Sequence, residues 1–472
     1  MPPTGRAQGE EYNSILGSNL RPESNLRPGM CPMKGLDFVV GGIPRGGTTA
    51  FADALNQHPE VFCYSSETGL LPLAQQIGCS GPVPSKSIPE IRRWLHDELY
   101  ENIVNMVQWN LDAGSPVPPV RYKKSDIDRI VYAVLDGQRT YGHAKTLTDI
   151  ASVALAREFR ERSGKIFVGE KTPGNIFALD VRRNARFDAN GAAPFFVVAR
   201  RPFPVIFSMR GRLANKADPY ASVFAGDGAQ QAGFYVRHAL ACARLVRRGA
   251  HLLRYEAFAG NARDMLPKVL SAIGASVDGR SIDAINRQID YLNRNDVRDR
   301  FSSAEQATID ALTEPVLMSL GYGRDPHSRS AEVVFELGCR VLSGEYEDKM
   351  LGPRSVVLLV AQSQHYHANL RFWHSFPGTV ADGGDTVCWR AEAMDGRQLG
   401  SIAAQGGGPT IVDLSIELDP ARGTLCANGN VMYLVEVECS HSFVPLVHPF
   451  RMRPRSPDMR QLSGQILSVD FS

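Results

Sequence analysis

The sequence lacks the features that mark membrane, zinc-ribbon and nucleic-acid-binding proteins. Its longest apolar run, Val356 to Ala361, is far too short to span a bilayer, and residues 1–34 show no basic-then-apolar signal segment. The eight cysteines include no C-x-x-C pair, which argues against a zinc ribbon and favours a reducing compartment. A formal net charge of +2 indicates no surface for nucleic acid. We therefore expect a cytoplasmic protein with no membrane span and no nucleic-acid partner.

The sequence contains two patterns of apolar residues, and the change lies near residue 325. At 472 residues the chain is too long for one ordinary core. Residues 1–34, rich in Pro, Gly, Asn and Arg, are interpreted as a disordered tail. From residue 35 to 325, short apolar strands alternate with helices, which predicts an α/β domain: a P-loop-like parallel sheet with helices on both faces. Residues 331–472 alternate apolar and polar positions, as in Val412–Leu418, and predict an all-β accessory domain, a sandwich or barrel.

A glycine-rich turn follows the first predicted strand, in the sequence Gly42-Ile43-Pro44-Arg45-Gly46-Gly47-Thr48-Thr49. Its spacing matches the nucleotide P-loop G-x-x-x-x-G-K-[ST], except that Thr48 replaces the lysine. Such a turn directs backbone N–H groups at an anion on a helix N-terminus. Without the lysine nothing in the loop reaches toward a γ-phosphate, whereas Arg45 can meet the end of a shorter phosphoanhydride. The loop therefore favours a donor with one 5′-phosphate and a sulfuryl group over ATP; the alternative is a glycine turn that binds nothing.

A second candidate anion site follows the predicted strand Phe195–Ala199. The strand ends at Arg200-Arg201-Pro202, and Ser208 comes eight residues after Arg200. Since proline suits the first turn of a helix, we predict that a helix begins here. Arg200 then lies at the carboxyl end of a strand, where open α/β sheets bind ligands, and Ser208 lies about two helical turns further on. An arginine and a hydroxyl placed in this way can converge on one phosphate.

Together these segments resemble the sulfotransferases that use 3′-phosphoadenosine 5′-phosphosulfate (PAPS). The family's P-x-G-T-T-like loop, which holds the 5′-phosphosulfate, is matched by Pro44, Arg45, Gly46, Gly47, Thr48 and Thr49. The family's Arg and Ser pair, which grips the 3′-phosphate, is matched by Arg200 and Ser208 in identity and spacing. The resemblance covers roughly residues 36–275 and implies PAPS as donor, with adenosine 3′,5′-bisphosphate as the product.

Two further motifs place the chain near the bacterial and glycan-modifying branches of that family. Glu170-Lys171-Thr172-Pro173 resembles their E-K-T-P segment, whose lysine lies near the transferred group or the acceptor. Arg254-Tyr255-Glu256 resembles a Y-E element that we interpret as structural. These branches also carry a K-E pair whose glutamate is the base; here Ser66 replaces the lysine, so only Glu67 carries over.

The resemblance implies a metal-independent, in-line transfer of a sulfuryl group to an acceptor hydroxyl or amine. Arg45, Glu67 and Lys171 are the predicted catalytic residues: Arg45 neutralises the leaving oxygen, Glu67 takes the acceptor's proton and Lys171 steadies the sulfuryl oxygens or the acceptor. His58, the other candidate near the loop, is interpreted as a helix terminator because it precedes Pro59. The acceptor is a small molecule, lipid or glycan, and residues 70–165 are expected to shape its pocket.

The sequence also departs from the family. The basic, Gly-containing loop that completes the 3′-phosphate site in cytosolic members is missing. Arg294, Arg298 and Arg300 are expected to form a solvated, charged turn rather than to replace that loop. The β-rich part is not recognised and could serve acceptor binding or homo-oligomer assembly. Alternation places His365 and His367 on one strand face, but no third ligand follows at a diagnostic spacing, so we predict no metal site. The rival interpretations are a P-loop-type kinase and a non-catalytic nucleotide-binding scaffold.

Overall fold

The computed structural model describes eleven segments of the chain. They are residues 35–78, 88–112, 120–141, 146–180, 193–215, 224–289, 297–345, 351–376, 386–405, 408–440 and 465–472. The tail predicted for residues 1–34 lies outside them. Residues 35–472 cluster into one compact unit. No helix in these segments is long and apolar enough to cross a bilayer.

The helices fall almost entirely in the first two thirds of the chain. They are α1 (Thr48–Leu55), α2 (Leu70–Gly78), α3 (Ile88–Tyr100), α4 (Met106–Asp112), α5 (Lys124–Tyr141), α6 (Leu147–Ser163), α7 (Asn175–Asp180), α8 (Pro202–Ala214), α9 (Gly228–Arg247), α10 (Tyr255–Gly260), α11 (Ala262–Ile273), α12 (Gly279–Ile289) and α13 (Ser303–Ser319). A π-helical turn, Glu101–Asn105, joins α3 to α4, and short 3₁₀ turns lie at Arg298–Arg300 and Ser330–Glu332.

The strands form one sheet in the first part of the chain and two sheets in the last. The first five are β1 (Phe38–Gly42), β2 (Val61–Tyr64), β3 (Phe167–Lys171), β4 (Phe195–Ala199) and β5 (His251–Arg254). The others are β6 (Gly338–Glu345), β7 (Leu351–Gln362), β8 (His367–Phe376), β9 (Thr386–Ala393), β10 (Gln398–Gln405), β11 (Gly408–Glu417), β12 (Thr424–Leu425), β13 (Asn430–Cys439) and β14 (Gln465–Phe471).

The first sheet is parallel, in the order β2-β3-β1-β4-β5, and this confirms the predicted α/β fold. Successive residues of β1 face opposite ways: Val39 joins the apolar core on one face of the sheet, and Phe38 and Val40 join the core on the other. Such strands are apolar throughout because helices cover both faces. Since β1 pairs with both β3 and β4, the loops that follow these three strands meet at one edge of the sheet.

The last part of the chain is a β-sandwich, which decides between the two predicted forms. One sheet has the order β10-β9-β13-β7-β6, with β12 on β13, and the other has the order β11-β8-β14. Alternate residues of both sheets face inward, and Trp389 of β9 stacks on Phe372 of β8 with ring centroids 4.6 Å apart. The period-2 pattern at Val412–Leu418 is therefore confirmed as a strand with one buried face.

The larger sandwich sheet is also buried on its outer face, against α9. Val356, Leu358 and Val360 of β7 belong to the same apolar core as α9. The longest apolar run of the sequence is thus a strand that packs on both faces. Where α9 packs on this sheet, Arg244 of α9 forms a bidentate ion pair with Glu436 of β13. The division into domains at 35–325 and 331–472 stays a prediction.

One detail of the β part corrects the sequence interpretation. His365 lies in a turn, where its N–H donates to the carbonyl of Gln362 at 3.0 Å, and β8 begins only at His367. The two histidines therefore do not alternate along one strand. The predicted strand extended too far because local alternation does not reveal where a turn intervenes. Among the described residues, no three His, Cys, Asp or Glu side chains lie close enough together to hold a metal ion.

Candidate active site

The glycine-rich loop between β1 and α1 turns sharply, with positive φ at Arg45 and Gly47. Arg45 has φ 64° and is the one non-glycine residue with positive φ in the described segments. Gly47, the N-cap of α1, has φ 98°, and a Cβ there would lie 2.2 Å from the ring of Tyr255. A side chain at this position is excluded both by backbone conformation and by space. Thr48 is buried and Thr49 is exposed at the first turn of α1.

Arg45 and Ser208, two predicted site residues, lie 163 positions apart in the sequence but meet in space. The Nε of Arg45 donates to the Oγ of Ser208 at 2.9 Å. From the sequence we predicted that Arg45 lies at the leaving oxygen of the donor. In the structure its guanidinium lies beside Ser208, the serine predicted to bind the 3′-phosphate. Because Arg45 is exposed, its long side chain is able to turn toward either end of a donor.

Arg200 joins the same region through Tyr255. Its guanidinium lies 4.1 Å from the centre of the Tyr255 ring, the ring that also packs against Gly47. Tyr235 of α9 donates its hydroxyl to the carbonyl of Arg200 at 2.7 Å. The structure therefore brings the loop, Arg200 and Ser208 together at the carboxyl edge of β1 and β4.

Glu256 of the Arg254-Tyr255-Glu256 element makes structural contacts. Its carboxylate accepts the backbone N–H of Arg201, the N-cap of α8, at 2.8 Å. It also accepts the hydroxyl of Tyr322 at 2.9 Å. A carboxylate at a helix N-terminus satisfies a backbone donor and suits the helix dipole. Glu256 thus fixes the start of the helix that carries Ser208.

Glu67 and Lys171, the predicted base and its neighbouring cation, form an ion pair. The Nζ of Lys171 lies 3.3 Å from the Oε1 of Glu67. The side chain of Lys171 is 2% exposed and that of Glu67 is 52% exposed, so the ammonium is held in the interior while the carboxylate faces solvent. A carboxylate in this position can reach a proton on an incoming molecule.

Glu170, the first residue of the Glu170-Lys171-Thr172-Pro173 motif, is the structural centre of this region. It is fully buried. Its Oε1 accepts the Thr68 N–H at 3.3 Å and the Thr68 hydroxyl at 2.8 Å, and it also accepts the Thr172 hydroxyl. Its Oε2 accepts the side-chain amide of Asn175 at 2.5 Å, and that amide also donates to the Val40 carbonyl at 3.0 Å. One carboxylate therefore ties the loop of Glu67 to the segment after Lys171 and to β1.

The two threonine hydroxyls of this network each donate to Glu170 and accept a backbone N–H. The Thr68 oxygen accepts the N–H of Leu70 at 3.1 Å, and the Thr172 oxygen accepts the N–H of Gly69 at 3.1 Å. Both hydroxyl hydrogens can then point at Glu170, which suits an acceptor-only carboxylate. Burial raises the pKa of Glu170, and the hydrogen bonds from Thr172, Asn175 and Thr68 oppose that rise.

Asp53 of α1 is a second carboxylate near the Glu67 loop that sequence reasoning missed. Burial raises the pKa of Asp53, while a hydrogen bond with Ser65 and the charge of Lys171 oppose the rise. No motif marks it; its position becomes evident only when α1 packs beside the loop after β2. Asp53 is therefore the structural rival of Glu67 for a proton-accepting role.

Two other sequence candidates are engaged in structural contacts. His58 is buried, its Nδ1 accepts the N–H of Glu60 at 3.2 Å and its Nε2 therefore donates to the Ser276 carbonyl at 3.0 Å. Arg298 is buried in a bidentate ion pair with Asp310, at 2.8 and 2.9 Å. The prediction that this arginine lies in a solvated turn is therefore wrong. Arg294 lies outside the described residues, and Arg300 is exposed.

Comparison with known proteins now decides the family. The model of the sulfotransferase family matches residues 37–279, more than half of the chain. The chain belongs to the sulfotransferase family. The matched residues include every predicted site residue of this sulfotransferase, and the resemblance based on its motifs is confirmed. A search of curated proteins found no match.

Several solved structures are similar to this sulfotransferase. A sulfotransferase domain from the Synechococcus PCC 7002 olefin synthase is 16% identical, with 61% of this chain and 94% of that chain covered and a TM-score of 0.36. A sulfotransferase from Alicyclobacillus acidocaldarius is 12% identical, with 61% of this chain and 94% of that chain covered and a TM-score of 0.33. A sulfotransferase domain from the curacin biosynthetic pathway is 12% identical, with 63% of this chain and 96% of that chain covered and a TM-score of 0.28.

Proposed function

We propose that this sulfotransferase uses PAPS and transfers its sulfuryl group to an acceptor hydroxyl or amine. The observation that carries the proposal is the 2.9 Å hydrogen bond between Arg45 and Ser208. It joins the loop expected to hold the 5′-phosphosulfate to the helix expected to hold the 3′-phosphate. Arg200, over the same Tyr255 ring that packs on Gly47, adds a second guanidinium at this edge.

The donor would lie across the carboxyl edge of β1 and β4. The loop from Pro44 to Gly47, with Thr48 and Thr49, would hold the 5′-phosphate through backbone N–H groups at the start of α1. Arg200 and Ser208 would bind the 3′-phosphate by charge-assisted hydrogen bonds. This part of the proposal distinguishes PAPS from ATP, because ATP has no 3′-phosphate.

The transfer step would be an in-line displacement at sulfur. The acceptor oxygen or nitrogen forms a bond to the sulfur while the bond from sulfur to the 5′-phosphate oxygen breaks. The acceptor's proton passes to Glu67, and adenosine 3′,5′-bisphosphate leaves with the bonding electron pair. Arg45 would neutralise the charge on the leaving oxygen and Lys171 the charge on the sulfuryl oxygens. We propose that no metal takes part in this step.

The acceptor side would be formed by residues 70–165 and by the surroundings of Lys171. The acceptor proposed is a small molecule, lipid or glycan, and the proposed location is the cytoplasm. All six cysteines within the described residues are free thiols, in keeping with a reducing compartment. We also propose that residues 331–472 form an accessory domain. A chain that ends at Asp325 tests this: retained bisphosphate binding supports two separable domains, and loss of folding contradicts it.

The function is tested by incubating the full chain with PAPS labelled at sulfur and a cell extract. A labelled product that depends on the enzyme supports sulfuryl transfer, and its identification names the acceptor. Label that remains entirely in PAPS, together with transfer of phosphate from ATP, would favour a kinase. Binding of adenosine 3′,5′-bisphosphate without any transfer would favour a nucleotide-binding scaffold.

A further inference from the structure

A cavity of about 280 Å³ lies where the α/β part meets the β-sandwich. One wall comes from α8, from α9 and from the residues just before α9, and it includes Met209, Phe224 and Phe234. The other wall is the β6–β7 hairpin, with Leu342 and Glu345. The cavity approaches the size of typical small-molecule sites, which measure about 300–1,000 Å³.

The hairpin wall is held closely against α9. A Cβ at Gly233 of α9 would lie 2.4 Å from the Cβ of Leu342, so only glycine permits this approach. Arg340 of β6 also pairs with Asp227, the N-cap of α9, at 2.8 Å. The two walls are therefore fixed by packing and by an ion pair, and the space between them is a built feature of the fold.

The elements around the cavity also carry the proposed active site. Met209 follows Ser208 on α8, and α9 holds the carbonyl of Arg200 through Tyr235. Arg237, which lines the cavity, lies with its guanidinium 4.8 Å from the ring centre of Phe177 on α7. The helix α7 begins at Asn175, and only Gly174 separates it from the Glu170-Lys171-Thr172-Pro173 segment.

The lining combines an apolar face with hydrogen-bonding groups. Phe224 and Phe234 meet edge to face with ring centroids 5.8 Å apart, beside Met209 and Leu342. Gln230, Arg237 and Glu345 supply amide, guanidinium and carboxylate groups. Aromatic rings and a thioether suit a flat apolar body, while the polar groups suit hydroxyls. The matching ligand is an amphipathic molecule that carries hydroxyl groups on an apolar ring system.

We propose that this cavity binds the body of the acceptor, so that the β-sandwich selects an amphipathic, hydroxylated substrate through the β6–β7 hairpin. The inference rests on the proposed sulfuryl transfer and deepens it by naming the acceptor class. It gives the last part of the chain a role in specificity: the hairpin closes a space that α8 and α9 alone leave open.

The test offers three acceptors to the full chain with labelled PAPS: 2-naphthyl β-D-glucoside, 2-naphthol and glucose. Ala225 lines the cavity and is exposed, so Ala225→Trp blocks the space without disturbing the core. Ala421→Trp, at an exposed turn of the sandwich, is the matched control. We expect the glucoside to exceed glucose in kcat/KM by about tenfold or more. Ala225→Trp should lower kcat/KM for the glucoside by about tenfold, mainly through KM.

The outcomes separate this inference from the proposed function. Ala225→Trp should leave the Kd for adenosine 3′,5′-bisphosphate within about twofold of wild type, and Ala421→Trp should change neither quantity. An unchanged kcat/KM in Ala225→Trp, or a preference for glucose, overturns the inference. Bisphosphate binding without transfer to any of the three acceptors overturns the acceptor class and leaves the donor proposal standing. Absence of bisphosphate binding refutes the proposed function itself.

Discussion

The two sides of the proposed site differ in how deeply their side chains are fixed. On the donor side, Arg45 is exposed and touches Ser208 through one hydrogen bond at 2.9 Å. On the acceptor side, Lys171 is 2% exposed and its neighbour Glu170 is fully buried with four donor groups around one carboxylate. An anionic donor needs cations that it can reach, whereas proton transfer needs groups whose geometry is set in advance.

This difference predicts two classes of variant. Substitutions on the donor side should alter affinity or turnover with little loss of stability, because exposed side chains contribute little to folding. Substitutions in the Glu170 network should lower stability and turnover together, because they leave buried donors unsatisfied.

The largest expected effect is that of Glu67→Gln. Removal of a positioned base should lower kcat by about 10²–10⁴. The Kd for adenosine 3′,5′-bisphosphate should be unchanged, since Glu67 faces the acceptor. Asp53→Asn tests the rival base, because the charge of Lys171 also acts on Asp53. If Asp53→Asn loses turnover and Glu67→Gln keeps it, the base is Asp53.

Arg45→Ala should produce the next largest effect. Loss of one charge-stabilising group should lower kcat by about 10²–10³, with a smaller change in bisphosphate affinity. Steady-state kinetics and calorimetric titration separate the two quantities. Reduced affinity at normal kcat would instead make Arg45 a ligand of the 3′-phosphate, next to Ser208.

Glu170→Gln tests the buried side. The glutamine amide brings donors toward Thr68, Thr172 and Asn175, which already donate, so unfolding in urea should show a loss of about 1–3 kcal/mol. Turnover should fall as well, because the loop of Glu67 is no longer held. Glu158→Gln is the matched control: Glu158 is equally buried, but it pairs with Arg129 at 2.6 Å. Equal turnover in both variants would deny Glu170 a positioning role.

The smallest expected effect is that of metal removal. Arg45, Lys171 and the start of α1 would supply the positive charge that Mg²⁺ supplies in kinases. EDTA should therefore leave turnover within about twofold, well below the tenfold change that 1.4 kcal/mol represents. Loss of turnover that Mg²⁺ restores would contradict the proposed mechanism.

The sequence predicted the local parts of this site and missed its long-range contacts. The loop at Gly42–Thr49 and the start of α8 depend on neighbouring residues, so glycine, proline and spacing were sufficient. The Glu170 network joins residues from β1, β3 and the loop after β2, whose register no local pattern contains. The burial of Arg298 was missed for the same reason, because its partner Asp310 lies on α13.

The central claim is that the site recognises a 3′-phosphorylated nucleotide. Calorimetric titration of the full chain with adenosine 3′,5′-bisphosphate, AMP and ATP tests it most directly. We expect the bisphosphate to bind tighter than AMP by about tenfold or more, the value of one charge-assisted hydrogen bond. Arg200→Ala should remove that preference and leave AMP binding unchanged. Equal binding of ATP and the bisphosphate, or a preference that persists in both Arg200→Ala and Ser208→Ala, would contradict the account.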